Sequence, residues 1–169
     1  MDDFSSAILK ELLPQEKEIR TPAMMNKVRE EALDHLSSPV LLERASYLRK
    51  LAKAGDGSAS ETLKEYPQHA IMLLVRGRSG AAELHENFAD LFFVLEGCAT
   101  LVTGGIVADA KTIASGEIRG SSIRDGVRQQ LRAGDVAHVP AGLPHQMLVL
   151  GDKSVSCLVL KIQQVPQKQ

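Results

Sequence analysis

The chain changes its hydrophobic rhythm near residue 65. Before that point apolar positions recur at three- and four-residue spacing, the period of a helix with one buried face. The stretch DFSSAILKELL predicts a weak first helix that Pro14 stops. Thr21-Pro22 then reads as an N-cap followed by proline at the first helical position. Behind it, Met24, Val28, Ala32 and Leu36 form one apolar stripe. Ser38-Pro39 repeats the start signal, Leu41, Ala45, Leu48 and Ala52 form a second stripe, and Gly55 offers a C-cap. GDGSAS at 55–60 reads as a loop or linker.

From Tyr66-Pro67 onward the period falls to two, or to short apolar runs. HAIMLLVRGR, AAELHENF, DLFFVLEG, CATLVTGG, VRQQLRAG, DVAHVPAG, HQMLVLG and SVSCLVLKIQ all predict strands, most of them divided by glycine, proline or polar residues. Many short strands with regular turns predict a mainly β sandwich or barrel. Residues 104–126 are too rich in Gly, Ser and charge to be core throughout; a short strand pair is expected around IVADAKTI and EIRGSSI, bordering a pocket mouth. The predicted organisation is an N-terminal helical extension over 1–65 and a β domain over 66–169. The helical stripes are expected to pack on the outside of the β domain or against a second subunit.

Composition narrows the function. The chain has 169 residues, of which 44% are hydrophobic, enough for a substantial core. Its formal net charge of -1 leaves no broad basic surface, which argues against sequence-independent nucleic-acid binding, since that needs many Lys/Arg–phosphate contacts. RKLAK at 49–53 is the one basic cluster of the helical half, and a solvated helix face accounts for it better than a DNA-reading helix. The opening MDDFSSAILK is acidic and lacks the apolar core of a signal peptide. No run approaches the roughly 18–20 continuous apolar residues of a membrane span. Cys98 and Cys157 sit in apolar strand-like runs and read as buried free thiols. A cytoplasmic, reducing location is the expectation.

Two segments carry candidate chemistry. LHENFADLFFVLEG (84–97) crowds His85, Asn87 and Asp90 against the most hydrophobic stretch of the chain. They are either metal ligands inside a barrel or polar residues at a turn. GDVAHVPAGLPHQMLV (134–149) reads as a turn, a strand, a tight Pro/Gly hairpin, and a histidine, His145, opening the next strand. The spacing Gly134, five residues, Pro140, one residue, Gly142, two residues, His145 resembles the second motif of the cupin superfamily, G-x5-P-x-G-x2-H-x3-N, with Val149 in place of the final Asn. The first segment resembles the first cupin motif, G-x5-H-x-H-x3,4-E-x6-G. In that reading Asp90 takes the Glu position, with six residues before Gly97. His85 takes the first histidine position and Asn87 the second, one residue too close to the carboxylate, and Gly80 stands four residues ahead of His85 where five are expected.

The resemblance covers roughly 67–163 and implies a small conserved-barrel cupin, a double-stranded β-helix or jelly-roll barrel. It implies His85, Asp90 and His145 as ligands of one divalent metal, iron, zinc, manganese or nickel, with Asn87 as a weak ligand or supporting amide. Alternation along the strands then sets a polar end made of these residues above an apolar floor of Phe92, Val94 and Met147. Glu86 is a reserve carboxylate if the register slips by one. Arg128, Gln130 and Arg132 alternate along VRQQLRAG; one of them, Gln130 included, could reach an anionic substrate, although solvated charge is the simpler reading, as it is for Arg76 and Arg78. His138 reads as structural or solvent-facing.

The resemblance implies a list of activities rather than one. The reading adopted is a small metal-dependent enzyme of dioxygenase, isomerase or lyase type, acting on a small organic molecule, with the metal as Lewis acid. The rival is a non-enzymatic ligand-binding or sensor module. Metal-free epimerases of this fold pair a His base with a Tyr acid, but the tyrosines here, Tyr47 and Tyr66, precede both motifs. A homodimer is expected, because both faces of DLFFVLEG are apolar.

Overall fold

The computed structural model describes residues 35–164. The two more N-terminal helical stretches predicted above lie outside those residues. The described part begins with helix α1 (Ser38–Ala54). Pro39 sits in its first turn, and the chain leaves it at Gly55, whose N–H donates to the Leu51 carbonyl. Its buried residues are Leu41, Ala45, Leu48 and Ala52, one side of a 3.6-residue period.

Twelve strands follow: β1 (Ser58–Tyr66), β2 (His69–Arg76), β3 (Ala82–His85), β4 (Phe88–Thr103), β5 (Ile106–Ala108), β6 (Lys111–Ala114), β7 (Glu117–Gly120), β8 (Ser122–Arg124), β9 (Val127–Arg132), β10 (Val136–Val139), β11 (His145–Leu148) and β12 (Val155–Gln163). All their pairings are antiparallel. Ten strands form one curled sheet in the order β1-β2-β12-β4-β11-β3-β7-β6, with β9 and β10 also on β4; β5 and β8 pair separately. Residues 58–66 differ from expectation. They are strand β1, not the tail of a helical segment, and they pair with β2 along their length. SETLKEY alternates, but its outer positions are so polar that the alternation carries little hydrophobic contrast. The pattern is that of an edge strand.

β4 holds the two halves of the barrel together. Its first part pairs with β12 and β10, and its second with β9 and β11. The predicted break at Gly97 is therefore not a loop. The register with β12 shifts between Ser156 and Cys157, leaving Leu95 as the extra residue of a bulge. The bulge changes which residues face inward: Phe92 and Val94 before it, Ala99 and Leu101 after it, all in one buried cluster with Met147, Val159 and Cys157. Gly97 has φ +77, and a Cβ there would lie 1.9 Å from the Ser154 carbonyl oxygen, so only glycine fits the bend.

β2 shows why the helix belongs on the outside. Leu73 and Val75 face outward and are covered by Ala45, Leu48 and Ala52 of α1, while Met72 and Leu74 face the barrel core. A strand buried on both faces needs the near-continuous apolar run that IMLLV supplies. Two bridges tether the helix: Arg44 to Glu61 of β1, and Arg49 to Glu96 and Ser156.

Candidate metal centre

Three strands deliver four donor groups to one point. β3 supplies Glu83 and His85, two residues apart and hence on one face. β4 supplies Asp90 and β11 supplies His145. The expected hairpin around Pro140–Gly142 is instead a turn between strands that do not pair with each other: β10 lies on the first part of β4 and β11 on its second part. The Gly142 N–H donates to the His85 carbonyl, and the Gly104 N–H donates to the Pro144 carbonyl. Asp90 Oδ2 lies 3.3 Å from His85 Nε2 and 3.3 Å from His145 Nε2. Glu83 Oε2 lies 3.5 Å from His85 Nε2 and 3.9 Å from His145 Nε2. All four donor atoms stand within 4.8 Å of one another. Donors bound about 2.1 Å from one ion stand roughly 3.0–3.5 Å apart, so these separations suit a shared divalent ion.

The outer atoms of the two imidazoles point to the same conclusion. His85 Nδ1 donates to Glu117 Oε2 at 2.6 Å, and His145 Nδ1 faces the Leu143 carbonyl at 3.3 Å. Each ring thus turns Nε2 inward, the arrangement in which a metal-ligating histidine is held by a carboxylate or carbonyl behind it. His85 Nε2 is buried and has no aligned hydrogen-bond partner, although two carboxylates flank it. An orphaned inward nitrogen in a buried site is costly unless something accepts its lone pair or proton. The residues present therefore fit a divalent cation.

The surrounding charges hold the carboxylates ionised. Burial alone would raise the Asp90 pKa, but His145, His85 and the Lys161 ammonium at 3.1 Å keep it well below the usual carboxylate range. Burial likewise opposes ionisation of Glu83, and His85, Arg119, His145 and Arg76 overcome it. For His85, burial pulls the pKa down, yet Asp90 and Glu83 more than offset it and lift the ring to about 9. Beside the donors opens a cavity of about 310 Å³, walled by Met72, Leu74, Phe92, Met147 and Val159.

The structure brings His85, Asp90 and His145 together and places Phe92 and Met147 on the cavity wall. Val94 lies one step deeper, in the packed core beside them. Asn87 is not at the centre: β3 ends at His85, and Asn87 lies in the turn to β4, its side-chain amide against Gly116. Gln130 is also elsewhere, exposed on β9 and paired with Thr100. Glu86 shares that turn with Asn87, and its N–H donates to the Gly116 carbonyl. The donor missed by the sequence reading is Glu83. Moving the first motif by two residues gives Gly77, five residues, Glu83, one residue, His85, four residues, Asp90, six residues, Gly97. Every spacing of the motif is then met, with Glu83 in the first histidine position and His85 in the second.

Residues 110–161 match the family model for the cupin domain. That span takes in the second motif and stops short of the first. Among solved structures, TT1209 from Thermus thermophilus is similar at TM-score 0.50 and 18% identity, over 70% of this chain and 95% of that one. KdgF from Halomonas sp. gives TM-score 0.47 and 14% identity, over 65% of this chain and 84% of that one. A predicted oxalate decarboxylase from Thermotoga maritima gives TM-score 0.48 and 15% identity, over 63% and 81%. Comparison with curated proteins finds no match. The matched segment and the curled antiparallel sheet give the chain a cupin-like fold, with a four-residue group able to hold a metal ion. No helix among the described residues is long and apolar enough to cross a membrane.

Proposed function

We propose that the protein is a small metal-dependent cupin enzyme acting on a small organic molecule, by dioxygenase, isomerase or lyase chemistry. The observation that carries the reading is the convergence of Glu83, His85, Asp90 and His145 on one point beside a cavity walled in part by Met72, Leu74, Phe92, Met147 and Val159. Two imidazoles with two carboxylates suit iron(II), manganese(II), zinc or nickel. A bound divalent ion supplies Lewis acidity toward a substrate oxygen.

The chain's own residues supply the rest. Glu117 fixes the tautomer of His85 by accepting from Nδ1. Lys161 orients Asp90 through Oδ1 and leaves Oδ2 toward the histidines. Phe92, Met147 and Val159 keep water from the inner wall. Elemental analysis of protein purified without added metal tests the reading. Near-stoichiometric Fe, Mn, Zn or Ni that is lost in a folded His145→Ala variant supports it. Metal-free wild-type protein carrying a tightly held organic ligand would instead make the barrel a sensor.

A further inference from the structure

The cavity holds one more group that the metal centre does not explain. Arg76 closes β2 and points inward, its side chain 18% exposed. Its Nε is buried and has no hydrogen-bond partner among the described residues. The nearest carboxylate oxygen, Glu83 Oε1, stands 3.6 Å from Nη2, beyond a hydrogen bond. The other two cations of the cavity are engaged more closely. Lys161 donates to Asp90 at 3.1 Å, and Arg119 lies between two carboxylates, 3.3 Å from Glu83 and 3.5 Å from Glu117, although its Nη1 also lacks an aligned hydrogen-bond partner. A guanidinium buried without a matched acceptor is costly, so a fold that keeps one beside a cavity leaves it free for a ligand. The backbone makes room for it: a Cβ on Gly80 would lie 2.8 Å from the Arg76 Cζ and Nη1 atoms.

We propose that Arg76 receives the carboxylate of a small organic-acid substrate, a proposal that takes its setting from the metal-centre reading above. Three cations line the cavity against the carboxylates of Glu83 and Asp90. Once those two carboxylates face a divalent ion, the cavity carries surplus positive charge, and an anion restores the balance. The planar fork of a guanidinium pairs with a carboxylate through two parallel hydrogen bonds. About 310 Å³ is at the small end of ligand cavities, and the walls beside Arg76 are Met72 and Leu74. The fit is to a compact acid with a short apolar body. Phosphate offers a guanidinium similar oxygens, and the test separates the two.

Calorimetry on the full chain would compare malonate, neutral malonamide and methylphosphonate, in metal-free and zinc-loaded protein. Wild type, Arg76→Gln and Arg76→Lys would be measured, with zinc affinity titrated separately for each. Malonate is expected to bind at least about tenfold more tightly than malonamide in both states. In the metal-free protein Arg76→Gln should erase that preference, and it should leave zinc affinity within about threefold, while Arg76→Lys restores part of the preference. Equal binding of malonate and malonamide overturns the proposal, as does a preference that survives Arg76→Gln in the metal-free protein. Tighter binding of methylphosphonate overturns the carboxylate assignment. Parallel loss of zinc and malonate in Arg76→Gln would reduce Arg76 to a residue that positions Glu83. If Arg76→Gln fails to fold, Arg76→Lys carries the test, and unchanged malonate affinity there refutes it. Failure of wild type to bind zinc refutes the metal centre alone, because the metal-free malonate preference still decides the role of Arg76.

Discussion

Loading the centre should release a proton. Asp90 and Glu83 raise the His85 pKa to about 9, so the ring is expected to hold a proton at neutral pH, yet a ligating imidazole must present a bare Nε2. At pH 7 the ring lies about two units below its midpoint, so freeing Nε2 costs about 3 kcal/mol, roughly a hundredfold in apparent affinity. Zinc affinity should therefore rise about tenfold per pH unit between about 6.5 and 8.5 and level off as the ring loses its proton unaided. Calorimetric titration in buffers of different ionisation enthalpy measures both quantities, and close to one proton should leave per zinc at pH 7. Stability of the metal-free protein should run the other way. A pKa raised above the ordinary 6.5 stabilises the fold fully below that value and loses its contribution as pH climbs toward about 9. Zinc affinity flat across this range, with no proton released, would refute the charge arrangement derived for His85, Asp90 and Glu83.

Four further outcomes are expected. Glu83→Gln should weaken metal binding by at least about tenfold, whereas Asn87→Ala and Gln130→Ala should leave it within about twofold, which checks the two-residue shift of the first motif. Gly97→Ala should cost at least about 2 kcal/mol in urea unfolding, because its Cβ meets the Ser154 carbonyl and φ is +77. Leu48→Ala, which empties the contact between α1 and the outer face of β2, should cost about 2–4 kcal/mol by the same measurement. Cys157 is fully buried and its thiol is pushed up to about 12, so iodoacetamide at pH 8 should modify it only after unfolding, as peptide mass mapping would show.

The second motif was legible because all its parts are local. Gly134, Pro140, Gly142 and His145 lie on one short segment whose turn chemistry sets their spacing, although β10 and β11 on either side of it pair with β4 and not with each other as a hairpin would. The first motif was read two residues out of register. Anchoring on His85 as the leading histidine favoured residue type over spacing, although Gly77 and Gly97 frame the span without any mismatch once Glu83 is allowed in. Glu117, Arg119 and Lys161 gave no local signal at all. They reach the site through the pairing of β7 with β3 and of β12 with β4, and such long-range pairing leaves no periodic trace beside the residues it brings in. β1 was missed for a different reason. An edge strand with one solvated face shows weak hydrophobic contrast, and SETLKEY looks as much like the end of a helix. The helix stripe of Leu41, Ala45, Leu48 and Ala52 was plain because burial on one side repeats every turn.

The double-sided bonding of β4 has a consequence for how the molecule opens. Its amides are locked by β12 and β10 at one end and by β9 and β11 at the other, so no partial fraying can release it while either half stays intact. Its core amides should exchange with deuterium only through global unfolding. Asp90, seated on this last strand to let go, would then survive every local breathing motion that loosens the turns around it.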